Sequence, residues 1–209
     1  WFITLVRSRR HQRNLLVYFR ITLLRTTIAV FFYMICSDTS LTNASTPPPK
    51  EGDMVKFVEL TPPLPIPEAS FFTTDGKKIN LNMFKGAWLL VNFWATWCAP
   101  CVSELPSLYN LKQNKSSSKF KILLVSIDRA GPKVYKRFLK KLELSHLNSA
   151  SDPRANLMRA LKISGIPTTL LIDPNGYVVG MYTGDAKWDH PFAETLLMHY
   201  VDGLKEKSN

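Results

Sequence analysis

The residues best suited to chemistry are Cys98 and Cys101, two thiols separated only by Ala99 and Pro100 in the run Trp97-Cys98-Ala99-Pro100-Cys101. This spacing suits a reversible disulfide. A thiolate on Cys98 attacks a disulfide in a partner, and Cys101, one helical turn on, attacks the mixed disulfide and releases the product. The apolar run Ala87–Trp94 reads as a buried strand and Val102–Leu111 has helical spacing, so Cys98 falls where one gives way to the other. At a helix N-terminus, unpaired backbone N–H groups and the macrodipole stabilise a thiolate. Pro100 fits a first helical turn, where its missing N–H costs little.

Competing uses of the pair can be weighed. Two cysteines are half a zinc site, but the third, Cys36, lies in an apolar leading segment, and His146, His190 and His199 show no ligand spacing. A purely structural disulfide across two residues gains little chain entropy, which favours redox use. Two other classes stay open. One is a non-catalytic module holding Cu(I) through soft thiolates; the other is a thiol peroxidase, against which the adjacent cysteine pair counts. No metal and no cofactor beyond the Cys98–Cys101 dithiol is expected.

The elements that must position this pair alternate. Phe71–Phe72 and Ile79–Leu81 flank Asp75-Gly76 as a hairpin. Lys121–Ile127 reads as a second buried strand, and Val134, Phe138, Leu139 and Leu142 as the apolar face of a helix with a solvated, lysine-rich back. A short helix is expected around Leu157–Leu161. Thr168–Ile172 and Tyr177–Tyr182 flank the turn Asp173-Pro174-Asn175-Gly176, and an amphipathic helix over Phe192–Leu204 closes the chain. The order predicts an α/β domain, a mixed sheet covered on both faces, over 55–205.

The chain of 209 residues carries a formal charge of +11. Residues 1–36 contribute six arginines and no acidic residue, against 21 basic and 16 acidic residues in the remainder, so nucleic acid is not an expected partner. The arginines flank the uncharged stretch Thr26–Cys36, the pattern of a signal or membrane-anchor segment with its basic end left in the cytoplasm. Residues 37–54, rich in Ser, Thr and Pro, read as a linker.

The run Val91–Cys101, with Glu104-Leu105-Pro106, Val125–Asp128, Gly165-Ile166-Pro167-Thr168-Thr169, Leu171–Gly176 and the Gly184-x-x-x-Trp188 spacing, resembles the TlpA/ResA-like, membrane-anchored branch of the thioredoxin superfamily. The resemblance covers residues 57–200. It implies a thioredoxin-like fold with an added N-terminal β-hairpin and a protein-disulfide reductase activity. It implies that Cys98 is the exposed attacking thiol and Cys101 the buried resolving one. Pro167 would be cis beside the dithiol, the backbone of Ile166 pairing with a bound substrate, while Trp97, Ala99 and Pro100 form the adjoining surface. Asn92 stands where thioredoxin carries a buried acid and cannot move protons; Glu104 stands where this branch offers one. A first-turn acid favoured by the dipole is the ordinary reading of Glu104. Asp128 and Trp188 read as structural. The family implies exported substrates bearing disulfides, either apocytochrome c or copper and oxidase-assembly proteins, and a membrane thiol transporter as electron donor. It places the domain in the periplasm, tethered to the inner membrane.

Overall fold

Seven consecutive buried residues, Trp88–Trp94 (β4), form the axis of the sheet, and their side chains divide the interior in two. Trp88, Leu90 and Trp94 point into one core, and Leu89, Val91 and Phe93 into the other, as the two-residue period of a strand requires. The computed structural model describes residues 47–114, 118–147 and 149–206. Around β4 lie the strands β1 (Val58–Pro65), β2 (Ser70–Phe72), β3 (Lys78–Asn80), β5 (Phe120–Ser126), β6 (Ser149–Ser151), β7 (Thr168–Ile172) and β8 (Tyr177–Thr183). The helices are α1 (Ala99–Gln113), α2 (Pro132–Lys141), α3 (Asn156–Ala160) and α4 (Pro191–Glu206).

The eight strands form one mixed sheet in the order β1-β8-β7-β4-β5-β6-β2-β3. β4 runs parallel to β5 and antiparallel to β7, with Phe93 opposite Val125 on one side and Thr168 on the other. Residues of α1, α2 and α4 cover the first core, among them Leu105, Leu108, Leu139 and Leu196. Leu157 and Met158 of α3, with Phe71, Ile79 and Leu81 of the hairpin region, cover the second. The β7–β8 turn closes as anticipated: Gly176, at φ +87°, donates to the Asp173 carbonyl, and Tyr177 N–H donates to the Asp173 carboxylate at 2.7 Å.

The structure departs from the sequence reading in four places. β1 was not anticipated, because Pro62, Pro63 and Pro65 break a strand pattern; it survives at the sheet edge, paired only with β8, where missing N–H groups are tolerated. β6 is a buried Ser-Ala-Ser strand, held where the Trp94 indole donates to Ser149 Oγ and the Tyr135 hydroxyl to the Ser149 carbonyl. On α2 the buried positions are Tyr135 and Leu139, with Phe138 half-buried, while Val134 and Leu142 are 37% and 39% exposed. Finally, the packed domain extends to residues before 55: a 3-10 turn spans Gly52–Lys56, and Met54, inside the expected linker, is buried in the first core. The leading segment 1–36 lies outside the described residues, among which no helix is long and apolar enough to cross a membrane.

Phe57 lies across β8 so closely that a Cβ on Gly180 would sit 2.0 Å from its Cζ. Gly180→Ala should therefore destabilise the domain by about 1–3 kcal/mol in urea unfolding. Adding Phe57→Leu should recover part of the loss. An unchanged midpoint for Gly180→Ala would refute this contact.

Candidate active site

The site is built by the turn that follows β4. Asp128, beyond the end of β5, accepts from the Thr96 N–H at 3.1 Å, the Thr96 hydroxyl at 2.8 Å and the Ser126 hydroxyl at 2.8 Å. These bonds hold the chain as it leaves the sheet, and Cys98 N–H then donates to the Ala95 carbonyl. Cys98 is the N-cap of α1, with extended backbone angles, and its sulfur accepts from the Cys101 N–H at 3.3 Å. That bond places Sγ of Cys98 against the unpaired donors of a 15-residue helix, where a thiolate would be stabilised. Pro100 occupies the first turn as the sequence predicts, and Ala99 and Pro100 are exposed.

Cys98 and Cys101 are joined as a disulfide, their Cα atoms 5.3 Å apart. Cys101 is fully buried. Cys98 is less open than the resemblance implies, 6% exposed and part of the first core. Trp97 beside it is 68% exposed. On the other side, the Ile166–Pro167 peptide bond is cis at the mouth of β7. The register sets Thr168 opposite Phe93, which brings the Ile166–Pro167 segment to the end of β4 that leads to the cysteines. Pro167 is buried, its carbonyl accepting from Gly184 N–H, and half-buried Ile166 packs on the core that contains both cysteines.

Glu104 is not an ordinary exposed first-turn acid. It is 2% exposed, and its carboxylate takes three donors: Asn92 Nδ2 at 2.8 Å, the Trp188 indole N–H at 2.9 Å and the Ala186 N–H at 3.3 Å. Burial pushes the carboxyl up to about 7, the nearby charge of Asp185 adding to it, although all three donors pull it down. Three residues after Cys101, it lies on the same side of α1. Asn92, which also donates to Thr169 Oγ1 at 2.9 Å, holds this acid in place. The Asn92 Oδ1 has no partner among the described residues. The structural role expected of Trp188 takes the form of an indole N–H that donates directly to Glu104. A buried tryptophan N–H needs an acceptor, and that requirement was the available signal.

The Redoxin signature matches residues 64–197, well over half of the chain. The chain belongs to the Redoxin family. The thiol-disulfide oxidoreductase ResA of Bacillus subtilis (strain 168) is 31% identical over 132 residues, covering 63% of this chain and 69% of ResA. Among solved structures, a protein described as a thiol:disulfide interchange protein DsbE from Chlorobium tepidum superposes with a TM-score of 0.59 at 24% identity. That superposition covers 66% of this chain and 96% of the other and speaks for the fold. A thioredoxin-family thiol:disulfide interchange protein from Chlorobium tepidum TLS gives 0.52 at 31% identity, over 66% and 96% respectively. The protein is thus a thioredoxin-superfamily, ResA/TlpA-like thiol–disulfide oxidoreductase.

In this Redoxin domain the buried acid makes two measurable differences. Trp188→Phe removes one donor from the carboxylate, so the Glu104 pKa should rise further, read by carboxyl NMR titration; a fall would sink the assignment. Stability should also depend on pH through Glu104. Its folded pKa exceeds the unfolded one, so between about 4.5 and 7 the unfolded chain ionises first and stability falls as pH rises. The loss through this group is about 3 kcal/mol, complete above the folded pKa. Glu104→Gln should flatten that slope in urea unfolding at a series of pH values, whatever constant offset the amide introduces.

Proposed function

We propose that the protein is an exported, membrane-tethered protein-disulfide reductase. The observation that carries this reading is the closed Cys98–Cys101 pair, with the Cys98 sulfur capping α1 and a buried carboxyl one turn beyond Cys101. In the reduced state, the Cys98 thiolate attacks a partner's disulfide, one partner sulfur leaves as a thiolate and a mixed disulfide forms. Cys101 gives its proton to Glu104, attacks Cys98 Sγ, expels the second partner thiolate and restores the intramolecular bond. An acid near pH 7 is matched to that proton transfer. Ile166 and Pro167 present backbone to the bound segment, and Trp97, Ala99 and Pro100 form the neighbouring contact surface.

The reductive direction, the tether and the partners rest on the family resemblance and on the arginine-flanked apolar segment at residues 1–36. Substrates are exported proteins whose cysteines must be reduced before haem attachment or copper-site assembly, and a membrane thiol transporter returns the two electrons. Cys101→Ser should accumulate mixed disulfides through Cys98 in the exported compartment, while Cys98→Ser accumulates none. The captured protein would name the pathway. The reduction potential should lie far below that of strongly oxidising enzymes, about −120 mV. A value near that figure would reverse the assigned direction.

A further inference from the structure

Beside Trp97 opens a cleft of about 1030 Å³, which the Cys98–Cys101 sulfurs do not line. Trp97, Val134 and Pro153 line it together with Arg129, Arg154 and Arg159, and the acid in its lining is Asp128. All three arginines are exposed, and among the described residues none of them forms an ion pair. The Arg159 guanidinium donates to the Asn156 side-chain oxygen at 2.8 Å. The carboxylates of this region are committed inward. Asp128 holds Thr96 and Ser126, and Asp152, 1% exposed, accepts from the N–H groups of Asn156, Leu157 and Met158. The positive side extends along α2, whose exposed residues include Lys133, Lys136, Arg137, Lys140 and Lys141.

We infer that this cleft is the docking groove for the substrate polypeptide and that it selects segments in which the target disulfide is flanked by Asp or Glu. The inference deepens the proposed reductase reading and rests on it. Trp97 is immediately before Cys98 and also lines the cleft, so a chain whose disulfide meets Cys98 lies next to it. Apolar lining residues beside exposed guanidinium groups that form no ion pair among the described residues suit an extended acidic segment, since arginine pairs bidentately with carboxylate. Charge argues against the other occupants. The chain's own residues 1–36 carry six arginines and no acid, and residues 37–209 still carry an excess of positive charge against a second copy.

The test uses the full-length, pre-reduced protein in single turnover with two synthetic peptides. Both contain the same intramolecular disulfide, flanked by Asp and Glu in one and by Lys in the other. The acidic peptide should be reduced about tenfold faster or more at low salt, the advantage shrinking as salt rises. Arg154→Glu with Arg159→Glu should reverse the preference and Arg129→Gln should weaken it, whereas Lys56→Glu, outside the cleft, should leave the ratio unchanged. Equal rates for both peptides would overturn the groove and leave the reductase reading standing. If neither peptide is reduced, calorimetry with a serine-for-cysteine acidic peptide separates the two claims. Binding that needs Arg154 and Arg159 keeps the groove and sinks the reductase; no binding sinks the groove. Arginine-dependent retention on phosphatidylglycerol vesicles without peptide preference would reassign the patch to a lipid surface.

Discussion

The architecture around the dithiol depends on keeping one carboxyl group out of water. A buried carboxylate survives only if its lone pairs are matched by donors. Glu104 draws those donors from two separate stretches of chain: Asn92 on β4, and Ala186 and Trp188 in the loop between β8 and α4. Satisfying the acid therefore fixes the active-site helix against the central strand and the C-terminal loop at once. Ser107 reinforces the same join, donating to the Ala186 carbonyl and accepting from the Trp188 N–H. The ring of Tyr182, 5.4 Å from the Trp188 ring, backs it from β8. The buried acid is at once the least comfortable group in the domain and the one that specifies how its parts meet.

The two halves of the site are built on different physics. Cys98 is set by backbone: a turn held by Asp128, then a helix start at which the Cys101 N–H donates to the sulfur. Glu104 is set by side chains and desolvation. The first favours a negative charge, and the second resists it until near neutral pH. A sulfur position that favours a thiolate and, one turn beyond the resolving Cys101, an acid that ionises reluctantly are the pairing that thiol exchange followed by internal resolution requires.

Much of this was legible in the residues. The continuous apolar run of β4 and the Asp75-Gly76 and Asp173–Gly176 turns identify their elements because each rests on local periodicity or turn chemistry. Cys98 and Cys101 are visible because their spacing is local too. What was hidden depends on partners distant in sequence. Ser149–Ser151 looks like a loop until Trp94 and Tyr135 supply its hydrogen bonds, and the prolines of β1 read as a break until β8 offers an edge. On α2, spacing alone admitted a face centred on Val134 and Leu142. Tertiary contact chose Tyr135 instead, whose ring fills the first core while its hydroxyl reaches β6. The role of Trp188 was hidden for the same reason, since its acceptor lies 84 residues earlier.

The stapling of α1 to the C-terminal stretch has a consequence for synthesis. Ser107 reaches Ala186 and Trp188, and Asn110 reaches Asp189, so the helix behind the cysteines acquires its final neighbours only when the last quarter of the chain has emerged. Until then the nascent polypeptide carries two thiols at a helix start whose acid has Asn92 alone of its three donors. The setting in which the dithiol works is thus completed from the far end of the polypeptide.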